Sequence, residues 1–299
     1  MSTGARSTVV VITHDRREEL LRTLEHMTAL PERAPVIVVD NASGDGSAEA
    51  VRARFPEVTV LVEPVNAGAV ARNHAVRCAT TPYVTFCDDD VRWQPGAIRT
   101  AVDLLDRHPD IGAVMGRCLV EPDLVEDPLT PELRDSPVPA PPWLPGTALL
   151  SVMAGLTTVR VSAFRAAGGF SERLWLGGEE ELLAIDLVGA GWWLCWAEEV
   201  VVHHRPSGRR DSRGRRRLGI RNTLLTTWAR RPLGAALRRS ASVLAGCPKD
   251  RHTVAAVGGV LRALPWLLRE RRCVPPELEA QLRLLEEPQR TSVARRYVG

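Results

Sequence analysis

Three consecutive aspartates, Asp88, Asp89 and Asp90, stand at the end of an apolar run, Tyr83–Cys87. Adjacent carboxylates repel, so a chain tolerates three of them where a cation compensates or where water solvates all of them. On an extended segment residues i and i+2 face the same way, and Asp88 and Asp90 could then share a hard divalent cation with oxygen ligands. Such a cation can neutralise a departing diphosphate. The alternative is an acidic turn capping the helix that starts near Pro95.

Four further groups carry potential chemistry. Asp40 ends another apolar run, before Asn41-Ala-Ser-Gly-Asp-Gly-Ser47. A carboxylate there can accept hydrogen bonds from a base or ribose, or serve as an Asx-turn residue. Asn66-Ala-Gly68 precedes Ala71-Arg72-Asn73. A glycine before a helix lets the backbone approach a ligand, and the planar fork of Arg72 suits phosphate; a surface arginine is the plainer alternative. Glu179, Glu180 and Glu181 follow Gly177-Gly178 at a helix start. Carboxylates are favoured at a helix N-terminus for dipole reasons alone, whereas as chemistry one of them would be the general base for an acceptor hydroxyl. His203-His204 closes a last apolar run. Neighbours on a strand point to opposite faces, so at most one faces a site, where a neutral imidazole could complete a metal's shell. A capped or solvated pair is the alternative.

The elements that must position these residues alternate. Thr8–Ile12 is a short β-branched run, followed by helical spacing over Arg16–Leu30, with Asp15 and Glu18 as a capping box. Pro35–Asp40, Val58–Glu63 and Tyr83–Asp88 are strands. Ser47 can cap a helix reaching Phe55, and Ala69–Cys78 is a third helix. Strand–helix alternation implies a parallel sheet covered by helices, with ligand beyond the C-terminal strand ends. Ala113–Glu121 and Trp192–His204 each predict one or two strands, and Asp123–Trp143 a proline- and acid-rich loop. Glu179–Ala190 is a helix. Arg209–Arg217 is an Arg-rich linker that could close over a diphosphate, and the remainder is helical and amphipathic. The expected fold class is α/β, a mostly parallel nucleotide-binding sheet flanked by helices, with a helical C-terminal extension. The division is residues 1–207 and 208–299.

Composition excludes several classes. The 299 residues are 44% hydrophobic and 25% charged, with a formal charge of +3. That charge does not make the whole molecule a polyanion binder, and the basic run Arg209–Arg217 lacks interleaved aromatics, so no nucleic-acid partner is expected. No GxGxxG follows the first strand, against a dinucleotide-dependent oxidoreductase. The six cysteines show no CxxC spacing and are expected to be buried free thiols. With no signal peptide or apolar span of membrane length visible, the expectation is a cytoplasmic protein, free or peripheral at the inner membrane face. Trp228, Trp266 and leucines alternating with arginines in the last third fit helices packing on a core, or a membrane-surface role for a lipid-linked acceptor.

The ordered set of motifs resembles the family 2 glycosyltransferases, of GT-A fold. It comprises Val10-Val-Ile-Thr-His-Asp-Arg16, Val38-Val-Asp-Asn-Ala-Ser-Gly-Asp-Gly-Ser47, Asn66-Ala-Gly68 with Ala71-Arg-Asn73, and Phe86-Cys-Asp-Asp-Asp90. Gly168-Gly-Phe-Ser-Glu172, Gly178-Glu-Glu180, and His203 or His204 with Ser207 complete it. The resemblance covers residues 7–207 and implies an inverting transfer of a sugar from a nucleotide-diphosphate sugar to an acceptor hydroxyl, of a cell-envelope glycan, a glycolipid or a small metabolite. By the same resemblance Thr13, Arg16 and Asp40 would hold the nucleoside, and Arg72 would lie near the ribose or diphosphate. Asp88 and Asp89 would contact the nucleotide, and Asp90 would bind Mg²⁺ or Mn²⁺, with Asp88 and His203 as further metal ligands. Glu180 would be the base, with Glu179 its neighbouring candidate. Glu replaces the usual Asp of the family's Glu-Asp pair, and Leu182-Leu183 the Asp-Leu that follows. These departures motivate an alternative, a non-catalytic nucleotide-sugar-binding or partner subunit.

Overall fold

The computed structural model describes residues 5–206 and 212–292. Four strands, β1 (Ser7–Thr13), β2 (Val36–Asp40), β3 (Thr59–Val62) and β4 (Tyr83–Asp88), pair in parallel in the order β3-β2-β1-β4. Helices α1 (Arg17–Thr28), α2 (Ser47–Arg54) and α3 (Ala71–Cys78) connect them. Successive side chains divide between the faces: Val9, Val11, Val36 and Val38 join one core, and Val10, Ile37, Val39, Val84 and Phe86 the other. Both faces are covered, which explains the unbroken apolar runs.

The second half mixes directions. Its strands are β5 (Val91–Trp93), β6 (Ile111–Val120), β7 (Val125–Glu126), β8 (Thr147–Ala148), β9 (Thr157–Arg160) and β10 (Trp193–His204). Strand β9 sits antiparallel between β4 and β6, β10 runs parallel to β6, and β5 closes the far edge antiparallel to β10. Helices α4 (Ala97–Arg107), α5 (Thr130–Arg134), α6 (Val161–Ala166) and α7 (Glu179–Gly189) accompany these strands. The spans 113–121 and 192–204, each expected to hold one or two strands, thus each hold one, β6 and β10. The segment expected as an uninterrupted loop, 123–143, contains β7 and α5, anchored where Arg117 and Arg134 converge on Glu126.

Strand β10 carries a bulge with consequences for the site. Its register against β6 jumps from Ala197–Gly116 to Val201–Arg117, so Glu198, Glu199 and Val200 are extra. Gly116 is required there, because a Cβ would stand 2.4 Å from the Val200 carbonyl oxygen. An odd insertion exchanges the faces of everything beyond it. Before the bulge, Cys195 and Ala197 face the first core; Val200 within it and Val202 after it do so too.

The last third is helical, as expected: α8 (Ser212–Arg230), α9 (Leu233–Ala245), α10 (Arg251–Arg262), α11 (Leu264–Glu270), α12 (Pro276–Leu284) and α13 (Glu286–Thr291). Ile220, Leu224, Leu225, Ala256, Val260 and Leu267 form a third core with Leu174 and Leu182. Val274, Leu278, Leu282 and Leu285 return to the first core of the sheet. Arg231, 2% exposed, is neutralised there by Glu279 and Glu286. Of the expected linker, residues 209–211 lie outside the described residues, as do Ser207 and the 207/208 boundary; from Ser212 the chain is already α8.

Two local expectations are corrected. Asp15 does not cap α1: its carboxylate accepts from the Gly44 N–H, and Asp45 accepts from the Arg17 N–H instead. Ser47 is the first residue of α2 rather than its cap, and its hydroxyl donates to Asp45. In both cases a loop residue distant in sequence or conformation competes for the short polar side chain.

Among the described residues no helix is long and apolar enough to cross a membrane. All six cysteines are free, four of them buried, while Cys78 and Cys273 are exposed.

Candidate active site

The aspartates do not share one extended face. Strand β4 ends at Asp88, and Asp89 and Asp90 lie in the turn before β5. Each therefore meets a different partner. Asp88, whose side chain is 41% exposed, accepts from Arg72 Nη2 at 2.5 Å. Asp89 is buried and accepts from Thr13 Oγ1 at 2.9 Å and Arg16 Nη1 at 2.8 Å. Burial outweighs the attraction of Arg16, and the Asp89 carboxyl is pushed up to about 7. Asp90 faces Arg16 Nη1 at 3.0 Å and His204 Nε2 at 3.7 Å. Burial alone would raise Asp90, but His204 and Arg16 hold its carboxyl below the ordinary value.

Thr13, Arg16 and Asp89 thus form one buried cluster at the ends of β1 and β4, with Thr13 turned to Asp89. Asp40 is 2% exposed and accepts from the Ser43 N–H at 2.9 Å, the Asx-turn arrangement. Arg72 is no surface arginine: it is 4% exposed, lies 5.6 Å over the Phe170 ring, and its Nε has no hydrogen-bond partner among the described residues.

The glycine of Asn66-Ala-Gly68 plays a different part from the one expected. The chain itself approaches it: a Cβ at Gly68 would stand 2.3 Å from the Trp175 carbonyl oxygen, which accepts from the Ala69 N–H. Asn73 links two separate motifs. Its amide donates to the Phe170 carbonyl and accepts from the Phe170 N–H, at 2.8 and 2.9 Å. A side chain at Gly169 would collide with that amide.

The glutamates also diverge. Glu181 is paired with Arg239 at 3.1 Å. Glu179 is buried in the field of Arg72 and Asp88, with Oε2 unpartnered among the described residues, and burial raises its carboxyl. Glu180 lines a cavity and accepts from the Ala154 N–H. Desolvation, and then the Glu179 charge, push the Glu180 carboxyl up to about 8. The adjacent Gly155 lies against Asp88, where a Cβ would be 3.0 Å from Oδ2. Consecutive residues, Ala154 and Gly155, therefore touch the two acidic groups, and they carried no signal in the sequence. Neither did Asn222 of α8, which is fully buried. Its Nδ2 lies 2.7, 3.1 and 2.5 Å from the carbonyl oxygens of Leu174, Leu176 and Gly177, fixing the loop that launches α7.

Of the two histidines, His204 and not His203 faces Asp90. His203 turns to Gln94, whose Nε2 donates at 2.7 Å, and to Glu121. The β10 bulge is the physical reason, since it exchanges the faces that simple alternation assigns. Asp90 and His204 offer an oxygen and an imidazole nitrogen toward one another, a donor pair that fits a divalent cation, with the partly exposed Asp88 nearby in the chain. His204 also lies within 4.8 Å of Cys118 and Asp127, and burial pushes the Cys118 thiol up to about 12.

Comparison with known proteins gives this geometry a context. Residues 8–165, more than half of the chain, match the sequence model of glycosyl transferase family 2. The N-acetylglucosaminyl-diphospho-decaprenol L-rhamnosyltransferase of Mycobacterium tuberculosis (strain H37Rv) is 29% identical over 277 residues, spanning 78% of this chain and 89% of its own. The mannosyltransferase PcManGT of Pyrobaculum calidifontis, solved with GDP-Man and Mn²⁺, superposes with a TM-score of 0.59 at 21% identity, covering 94% of this chain and 87% of that one. GalNAc-T7, solved with UDP, GalNAc and Mn²⁺, gives a TM-score of 0.61 at 14% identity, covering 90% and 57%.

Proposed function

The chain belongs to glycosyl transferase family 2 and is a glycosyltransferase that uses a nucleotide-sugar donor; from that premise we propose that it transfers the sugar with inversion onto a lipid-borne sugar in cell-envelope glycan assembly, with Glu180 as base. The observation that carries the mechanism is the Ala154-Gly155 bridge, with Glu180 on one residue and Asp88 on the next. A base and an acid that helps hold the diphosphate's cation must both lie near the anomeric carbon, and the placing of Glu180 and Asp88 against consecutive residues supports that reading. The Mycobacterium tuberculosis relative, named for L-rhamnosyl transfer to N-acetylglucosaminyl-diphospho-decaprenol, supports the acceptor class.

In this reading Glu180 takes the acceptor proton as its oxygen attacks the anomeric carbon. Arg72, unpartnered at Nε, turns to the diphosphate, and Arg16 and Asp40 border the nucleoside. Asp89 and Thr13 hold Arg16 in place. Asp90, His204 and Asp88 would hold Mg²⁺ or Mn²⁺, which supplies charge neutralisation of the leaving diphosphate. The PcManGT and GalNAc-T7 structures, each with Mn²⁺, support the metal class. Residues 1–207 form the transferase unit in this reading, and the helices beyond 208 complete its acceptor side.

A membrane-surface location fits the lipid-borne acceptor. Val254, Leu261 and Leu268 are strongly exposed at intervals of seven along α10 and α11, beside exposed Arg251, Arg262 and Arg269. An apolar stripe flanked by arginine suits an anionic lipid surface.

The test is calorimetric titration with UDP, GDP and dTDP, with and without Mn²⁺, on wild type, Asp90→Ala and Glu180→Gln. One nucleotide should bind wild type and Glu180→Gln equally and need both Mn²⁺ and Asp90. Equal affinity with and without Mn²⁺, or full turnover by Glu180→Gln, would refute the proposed roles.

A further inference from the structure

Asp90 and Asp88 do not exhaust the ligating groups around His204. Cys118 of β6, Asp127 from the turn between β7 and α5, and His204 of β10 each offer a ligand atom, and the three atoms lie within 4.8 Å of one another. Register brings them together. Cys118 pairs with Val202 on the parallel strand β10, and His204 is two residues further on, so both side chains leave the same face of the sheet. Strand β7 folds back on β6, where the Asp127 N–H donates to the Cys118 carbonyl at 3.0 Å. The Leu129 N–H, at 2.9 Å, fixes Oδ1 of the Asp127 carboxylate. Cys118 is 3% exposed, while Asp127 and His204 are half-buried, so two of the three ligands keep contact with solvent.

The donor types decide the cation. A sulfur with one imidazole and one carboxylate is a mixed set that suits zinc, whereas magnesium and manganese prefer oxygen. Tetrahedral zinc sets its ligand atoms roughly 3.5 Å apart, so a shift of about 1 Å in the half-buried Asp127 and His204 side chains closes the site. Asp127 and Asp90 both direct negative charge at the Cys118 sulfur, a field that favours a cation there. Three protein ligands leave the fourth tetrahedral position to water. As the sulfur–metal bond forms, the Cys118 S–H bond breaks and its proton passes to solvent.

Two cations then compete for His204. Its Nε2 also faces Asp90, at 3.7 Å, and a neutral imidazole has one acceptor nitrogen, so it serves one cation at a time. We propose that Cys118, Asp127 and His204 form a second cation site, selective for zinc-like ions, whose filling withdraws His204 from the magnesium or manganese ion held by Asp90. The site stands on its own donor geometry; the competition rests on His204 serving the transferase cation.

The test uses the full chain, freed of metal by chelation, with Cys78→Ser/Cys273→Ser removing the exposed thiols. Co²⁺ is the probe, because a cysteine ligand gives it a sulfur-to-metal charge-transfer band that oxygen and nitrogen ligands do not. One equivalent of Co²⁺ should raise that band, and Zn²⁺ should abolish it. Cys118→Ser and Asp127→Asn should each weaken Co²⁺ binding tenfold or more, and His203→Ala should leave it unchanged. Mn²⁺ with whichever of UDP, GDP and dTDP binds should shift the Co²⁺ titration about tenfold, and should not do so in Asp90→Ala. Should Cys118→Ser fail to fold, Cys118→Ala, which keeps a small apolar side chain, takes its place. No band, or a band that survives the loss of Cys118, would overturn the site, and a Co²⁺ titration that ignores Mn²⁺ would overturn the competition. The nucleotide calorimetry separates the two readings. A Cys118-dependent band with Mn²⁺-independent nucleotide binding keeps the zinc site and sinks the Asp90 cation, while Mn²⁺-dependent nucleotide binding without the band sinks the zinc site alone.

Discussion

The two acidic triplets of this chain resolve the same electrostatic problem in opposite ways. In Asp88-Asp89-Asp90 every carboxylate meets a cation: Arg72 for the first, and Arg16 shared by the second, with Thr13, and the third, with His204. In Glu179-Glu180-Glu181 only the third has an arginine within ion-pair distance among the described residues. The first two sit close together and poorly solvated, and their carboxyls rise. Asp90, held below its ordinary value by His204 and Arg16, suits the binding of a cation, while burial lifts Asp89 to about 7 despite its partners. Glu180, raised to about 8, keeps its proton near neutral pH, and deprotonated it is a strong enough base to take one from a hydroxyl. Identical residues in a row thus diverge because the backbone, a turn in one case and a first helical turn in the other, sends each side chain into a different field.

That contrast breaks most sharply at Glu180. Glu180→Gln should lower kcat by about 10²–10⁴-fold and leave nucleotide affinity within about twofold, read from initial rates and calorimetry. Glu181→Gln removes only a partner of Arg239, and its kcat should stay within a few-fold of wild type. Similar losses in both variants would end the distinction within the triplet.

The aspartate side breaks next. Asp90→Ala should weaken Mn²⁺-dependent nucleotide binding by about a hundredfold and His204→Ala by about tenfold, on the scale of lost metal-site interactions. His203→Ala should bind as wild type. A larger effect from His203 than from His204 would mean that the bulge does not set the site.

The raised carboxyl supplies a pH test. Since the free enzyme must lose the Glu180 proton to act, log kcat/KM should climb with pH until about 8 and then level. The sign for stability is opposite. Between the ordinary 4.5 of an unfolded glutamate and about 8 in the fold, the native state holds the extra proton, so stability falls as pH rises through that window. Glu180→Gln should flatten that fall, measured as Tm from pH 5 to 9. A Tm slope equal to that of wild type would place the titration elsewhere.

The smallest expected effect sharpens the link between the halves. Asn222→Ala leaves the carbonyls of the Gly177 loop without their buried donor and should cost about 1–3 kcal/mol of stability. Nucleotide affinity should hold while kcat drops roughly tenfold, because the loop aims Glu180; denaturant melts and steady-state kinetics read the two separately. A kcat at the wild-type level would make Asn222 a purely structural residue.

The parallel half of the fold was legible because its signals are local. Val9–Val11 and Val36–Val39 are β-branched runs, and a strand covered on both faces needs nothing else. The site residues were legible as types for a related reason: acids and an arginine at strand ends sit where an open sheet leaves space for ligand. Their partners were not. Asp89 reads as a nucleotide contact until Arg16 and Thr13, over seventy residues earlier, are seen to enclose it. His203 and His204 are indistinguishable until three extra residues in β10 are counted against Gly116 on a neighbouring strand. Gly68 looked like a place for a ligand to approach, and Trp175 occupies that approach.

Sequence by itself therefore determined the family, the strand–helix alternation and the chemical kinds of residue that the sheet presents, since these follow from nearest-neighbour periodicity and charge. Tertiary structure alone decided which acid is compensated, which histidine faces inward, and that α8 and α9 close a cavity over Glu180. Those outcomes depend on pairs such as Asn222 with Gly177 and Arg239 with Glu181, brought together only when the last helices pack back on the sheet. No local pattern encodes such a pairing, because its energy arises from burial and charge shared between segments far apart in the chain.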